Sequence, residues 1–182
     1  MVKQLYMIIA GLALSANLSL ASTEARQDLQ VVNDIATAVN RYPQFTIFDD
    51  VNIGVKDGLV TLTGKVTMPY KREEIEKRVA KIDGVRQVRN EIGVLPVSQF
   101  DDQLRYRIAR SIYDNPNFWN YAMGPNPPIH IIVEHGRVTL TGVVQSEVDR
   151  MLARSLATHL GAFSVTNNLK TDTEVREAAE RS

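Results

Sequence analysis

The chain has 182 residues, 44% of them hydrophobic, with 21 basic and 21 acidic side chains and no cysteine. The even charge excludes the long-range positive field with which a protein gathers nucleic acid. The missing cysteine excludes a lipobox anchor, a disulfide framework and any thiolate metal site. In chain order, Lys3 precedes the apolar stretch Leu5–Leu14, and Ser19-Leu20-Ala21 offers small residues at both positions a signal peptidase reads. Met1–Ala21 is expected to be a cleaved secretory signal rather than an uncleaved anchor. Asn17 and the serines interrupt the apolar run, which falls short of the ~20 residues a spanning helix needs. Cleavage removes one lysine and no acid, so the mature balance is 20 − 21 = −1.

After a linker over 22–27, Val31, Ile35 and Val39 recur at steps of four and predict an amphipathic helix that ends near Tyr42-Pro43. Val51, Ile53 and Val55 alternate as a half-buried strand, and Lys56-Asp57-Gly58 turns the chain with a glycine able to take positive φ. The return strand buries Val60 and Leu62 and contains Gly64. A second helix carries Ile75 and Val79, Gly84 stands at the expected left-handed cap, and Val88, Asn90 and Ile92 form a last strand.

The same order then recurs. Asp57–Val66 reads DGLVTLTGKV and His135–Val144 reads HGRVTLTGVV, with offsets of 136 − 58 = 78 and 142 − 64 = 78. Leu104, Ile108 and Ile112 repeat the first helix, Ile129, Ile131 and Val133 the first strand, and Gly136, Val138, Leu140 and Gly142 the turn and return strand. Val148, Leu152 and Leu156 mark the second helix, opened by a weak Ser146/Asp149 capping box and closed by Gly161, before Val165, Asn167 and Leu169. One unit has been duplicated. The fold class is therefore α+β: two tandem αββαβ units, 28–95 and 101–172, joined by a linker over 96–100 and followed by a tail over 173–182. Each unit is expected to be a three-stranded mixed sheet with both helices on one face. Gly64 and Gly142 are expected to mark a bulge or a close backbone approach, with the unit's own helix as the visitor.

The duplicated unit, with G-x-V-T-L-x-G after the turn and a Val-x-Asn-x-Leu-like final strand, resembles the BON domain over roughly Asp28–Asp172. Two such domains behind a signal peptide are similar to tandem two-BON periplasmic proteins of the osmotically inducible type. The resemblance implies a periplasmic cell-envelope protein of Gram-negative bacteria, with roles in phospholipid or membrane-surface association, stress response and periplasmic chaperoning. It implies no enzymatic activity, and permanent anchoring is not implied because the lipobox cysteine of a related branch is missing.

The residues give catalysis little to stand on. His130, His135 and His159 lack the i, i+4 spacing of a helical metal pair, and no nucleophile elbow, P-loop or dinucleotide motif occurs. Asp49-Asp50 and Asp101-Asp102 read as solvating or helix-dipole carboxylates rather than a cation site. The run Lys71–Arg78 reads as a solvated helix face held by Glu73–Lys77 and Glu74–Arg78 pairs. No cofactor or metal is expected.

The two copies differ between their first helix and first strand. Phe45 aligns with Phe118 at an offset of 73, so the second copy carries five extra residues, 78 − 73, in an aromatic loop from Phe118 to Pro128 that holds the only tryptophan. Leading into it, Tyr106, Arg110 and Tyr113 are expected on the outward side of the helix. Tyr106, Arg107, Arg110, Tyr113, Trp119 and Tyr121 are therefore the candidate contact residues for anionic phospholipid, or alternatively for envelope proteins met by a soluble chaperone-like factor. A chaperone-like factor would use a sheet face uncovered by helices or an exposed strand edge. The same residues also have a structural assignment: Tyr106 packs against the other unit, Arg110 pairs with Asp114, and Trp119 closes the core.

Overall fold

A computed structural model describes residues 28–124 and 126–180; the expected signal Met1–Ala21 and the linker 22–27 lie outside the described residues. In the first unit α1 (28–40) precedes β1 (Asp50–Lys56), β2 (Leu59–Val66), α2 (Pro69–Val79), β3 (Gln87–Asn90) and the short β4 (Gly93–Val94). In the second, α3 (Gln99–Tyr113), a 3-10 turn (Pro116–Phe118) and α4 (Trp119–Ala122) precede β5 (Ile129–Glu134), β6 (Arg137–Val144), α5 (Glu147–Thr158), β7 (Ser164–Asn167) and β8 (Lys170–Thr171). The stretch expected as a tail forms a further helix, α6 (Asp172–Glu180).

Both sheets are mixed. β1 runs antiparallel to β2, which pairs in parallel with β3 and, farther along, β4; β5, β6, β7 and β8 repeat the pattern. Val31, Ile35 and Val39 of α1 share a core with Val60, Leu62 and Val66 of β2 and Ile75 and Val79 of α2. Leu104, Ile108 and Ile112 meet Val138, Leu140 and Val144 in the same way. The expected helix face of α5 needs correction: Ala153 and Ala157 are fully buried and Leu152 and Leu156 half-buried, while Val148 points outward. Small residues against the sheet let α5 lie close and push its longer side chains to the flanks.

Matching polar clamps hold each unit together. In both hairpin turns the two central residues have positive φ, 52° and 73° at Asp57 and Gly58, 53° and 71° at His135 and Gly136, as a two-residue primed turn requires. Their N–H groups converge on one carboxylate from the first turn of the unit's opening helix. Asp28 accepts from Asp57 and Gly58 at 2.8 and 3.1 Å, and Asp101 from His135 and Gly136 at 2.9 and 2.7 Å. Asp101 is thus a buried clamp rather than a solvating carboxylate. The asparagines of the last strands tie sheet to helix: Asn90 donates to the Arg72 carbonyl and accepts from Ile92 N–H, and Asn167 does the same with Arg150 and Leu169.

The strand glycines have a different visitor from the one expected. The β1–β2 register runs unbroken through Gly64, and the β5–β6 ladder reaches Gly142 opposite Ile129 without skipping a residue, so neither ladder contains a bulge. A Cβ on Gly64 would lie 2.2 Å from the Asp50 carbonyl oxygen, and on Gly142 1.8 Å from that of Pro128. The close approach is made by the neighbouring strand's entry, not by a helix. Gly84 and Gly161 have φ of +88° and +89°, but α2 is capped by Ala80 and α5 by His159, so both glycines shape the connection after their helix rather than its end.

The units touch through residues 45–50 of the first and β5 of the second. Ile131 N–H donates to the Ile47 carbonyl at 2.7 Å, and His130 Nδ1 lies 2.5 Å from the Asp49 carbonyl, which can only accept, so Nδ1 carries a proton. Phe45 packs on the His130 ring, Thr141 donates to Asp50 at 2.9 Å, and Lys65 pairs with Glu134 at 3.1 Å. Ile47 and Phe48 pack against the second core.

Candidate functional site

The inserted loop has an inward and an outward side. In the first unit the Thr67 N–H, at the entry to α2, is satisfied by Asp49 at 2.7 Å, and Lys71 pairs with the same buried carboxylate at 2.6 Å. Lys71 is accordingly buried, not part of a solvated face; the Glu74–Arg78 pair of that face does form, at 3.2 Å. In the second unit the corresponding amide is Gln145, 145 − 67 = 78, and it is met by the Tyr121 hydroxyl at 2.7 Å. That hydroxyl donates in turn to Asp149, 149 − 71 = 78, at 2.9 Å. The insertion therefore supplies a tyrosine where the first unit uses a carboxylate. Phe118 is fully buried beside it.

These anchors correct two expected contact residues. Tyr121 is only 8% exposed, and burial, with Asp149 alongside, pushes its phenol up to about 12. Tyr113 donates to the Ile129 carbonyl at 2.6 Å and accepts from the Ile129 N–H at 3.1 Å, and burial holds its phenol well above the usual range. Both belong to the scaffold. A raised phenol pKa stabilises the fold fully below the unfolded value near 10, and this contribution is lost as pH rises through about 12. Tyr121→Phe is expected to cost about 1–3 kcal/mol at neutral pH, because the Gln145 amide loses its acceptor. It is also expected to blunt the fall in stability between those two pKa values, as checked by denaturant unfolding at neutral and alkaline pH.

The outward side is different. Trp119 and Met123, four residues apart, are 69% and 72% exposed, so Trp119 does not close the core, and on α5 Val148 and Met151 are 66% and 58% exposed. α3 and α5 lie antiparallel: Ser111 bonds the Leu156 carbonyl, Arg107 lies beside Gly161, and the loop after α3 reaches Asp149 at the start of α5. That arrangement brings Trp119, Met123, Val148 and Met151 to one end of the helical layer. Arg107 and Arg110 on α3 and Arg154 on α5 are exposed along the same layer, and none of the three forms an ion pair among the described residues. Arg110 does not pair with Asp114; Asp114 caps α3 through its backbone instead. Tyr106 is exposed but turned to the other flank, edge-on to Phe48 of the first unit. Met123, Val148, Met151 and Arg154 were not among the expected contacts; the recurrence of Val148 with Leu152 and Leu156 had pointed it to the core.

The uncovered face of the second sheet forms the floor of a cleft of about 1410 Å³, walled by the first unit and α6 and lined by His130, Ile132, Thr139, Thr166, Lys65 and Val175. Many of its charges are already engaged, Lys65 by Glu134 and Arg150 by Glu174. Among the described residues no three His, Cys, Asp or Glu side chains are placed to hold a metal, and no helix is long and apolar enough to cross a membrane.

The family model described as the BON domain matches residues 27–96 and again 100–173. No curated protein matches the chain. Among solved structures, CdsD of Chlamydia trachomatis, described as a structural protein of the type III secretion system, is 13% identical over 84% of this chain and 99% of its own, with a TM-score of 0.30. Its C-terminal domain is 13% identical over 76% of this chain and 95% of its own, with a TM-score of 0.27.

Proposed function

Because the chain belongs to the BON-domain family and carries that domain twice, we propose that it is a non-enzymatic binding protein of the cell envelope whose second unit associates with anionic phospholipid surfaces. BON domains are generally binding modules rather than enzymes, and their family association is with membranes and phospholipid. In this reading the signal is removed, the mature protein resides in the periplasm, and its work belongs to envelope or osmotic stress. One observation carries the assignment: Trp119 and Met123 stand out from a loop that Phe118 and Tyr121 anchor to the core, at the same end of the helical layer as Val148 and Met151. Folding does not require these side chains outside. Amphipathic and thioether side chains at headgroup depth, with three arginines outside ion pairs along the same helical layer worth roughly 1 kcal/mol each at an anionic surface, give weak, reversible, salt-sensitive attachment.

Trp119→Ala combined with Arg110→Ala is expected to weaken binding to phosphatidylglycerol-containing liposomes by about tenfold or more, while circular dichroism and melting stay near those of the unaltered chain. Trp119 emission should move to the blue when such liposomes are added, and less so at high salt. Emission that ignores lipid, or equal binding by a chain altered in neither residue and by the double variant, would overturn the assignment.

A further inference from the structure

The far end of the second unit carries another exposed apolar feature, distinct from the Trp119 end. Phe163 is 78% and Phe100 43% exposed, and their rings stack with centroids 6.0 Å apart. The pair is held in place: Phe163 N–H donates to the Gly136 carbonyl at 2.8 Å, and a Cβ at Gly136 would lie 2.6 Å from the Phe163 ring and 3.1 Å from that of Phe100. In the first unit the matching position, 163 − 77 = 86, is Arg86, which makes the same backbone bond to Gly58. The stacked phenylalanines therefore belong to the second unit alone.

Phe163 is immediately followed by β7, the last strand of its sheet, with no strand beyond it among the described residues. Sheet edges are normally guarded by charge, proline or a cover, because their free N–H and C=O groups template further pairing. The matching edge β3 carries Arg89, paired with Glu91 at 2.6 Å. β7 reads Ser-Val-Thr-Asn, without charge or proline, and begins beside two exposed rings.

We infer that the β7 edge and the Phe100/Phe163 pair form a docking strip for an extended polypeptide segment, which adds a strand to the sheet and lays an apolar side chain against the rings. The free backbone groups select an extended chain, and the rings select its side-chain class.

The test uses the full mature chain and a fluorescein-labelled, lysine-capped peptide of alternating threonine and phenylalanine, followed by anisotropy. Binding is expected, with affinity falling about tenfold or more in Phe163→Ser and in Thr166→Lys, both at exposed positions. The same peptide N-methylated at alternate residues, which keeps its side chains but removes the strand-pairing donors, should fail to bind. No binding by the unaltered chain, binding of the N-methylated peptide as tight as that of the unmodified one, or variants that bind as tightly as the unaltered chain would overturn the proposal. So would a concentration-dependent dimer abolished by the same substitutions, which would make a second copy the occupant. Loss of liposome binding without loss of peptide binding in Phe163→Ser would assign the rings to the membrane instead.

Discussion

Replacing Lys71 by methionine is expected to cost the first unit about 3–5 kcal/mol of folding stability. Asp49 is fully buried and accepts from Thr46 N–H and Oγ1, Thr67 N–H and Oγ1, and Lys71 Nζ, at 2.6 to 2.9 Å. Four neutral donors remain when the ammonium goes, but the charge then sits without a counter-ion in a site closed to water. Lys71→Met with Asp49→Asn removes both charges and should recover a large part of the loss. Denaturant unfolding of the single and double variants checks both statements. A single-variant loss below about 1 kcal/mol would show that the pair is solvated. The effect should also cross the unit boundary, because the Asp49 carbonyl receives His130 and the Ile47 carbonyl, two residues before it, receives the Ile131 amide. Hydrogen exchange at Ile131 is the readout.

Gly142→Val is expected to destabilise the second unit by about 2–6 kcal/mol, combining backbone strain with overpacking. Gly142 has φ of +112°, where a β-branched residue is strained, and its Cβ would stand 1.8 Å from the Pro128 carbonyl. Relief requires the entry to β5 to retreat, and that entry also receives Tyr113 through Ile129. Thermal and denaturant unfolding should show an early second-unit transition. A midpoint equal to that of the unaltered chain would refute the close approach.

The fold was legible because a duplication states it twice: apolar spacing, turn glycines and strand alternation agree in both copies, and the structure follows the αββαβ order in each, adding the short β4 and β8, α4 and α6. What stayed hidden were the polar partners that lie far apart in sequence. Lys71 sits in a run of charges whose spacing suits a solvated helix, and nothing local discloses that Asp49 waits 22 residues upstream in a buried niche. Tyr113 reads as an outward aromatic because periodicity places a Cβ, not the end of a long side chain that curls back to a backbone carbonyl; Tyr121 stands out by the loop's composition, which does not disclose that its hydroxyl reaches the Gln145 amide and Asp149. Val148 misled for the opposite reason. Its spacing with Leu152 and Leu156 is helical, but the alanines one residue beyond Leu152 and Leu156 take the sheet-facing stripe. The Trp119 loop was recognisable by composition, whereas the exposed Val148 and Met151 come to the same end of the helical layer only through the antiparallel packing of α3 and α5.

The carboxylate clamps at the two hairpin turns also bear on the order in which the chain assembles. Each hairpin closes over two residues and forms on the microsecond scale, whereas its clamp joins Asp28 to Asp57 across 29 positions or Asp101 to His135 across 34. The entropy of closing so long a loop places that bond after the hairpin. The first helix of each unit is thus made first on the ribosome and fastened late. Because the donating amides exist as a pair only once the turn has positive φ at both residues, the clamp rewards a correctly turned hairpin and gives nothing to a misregistered one. Each unit carries its own proofreading of strand register, written in a single aspartate at the start of its first helix.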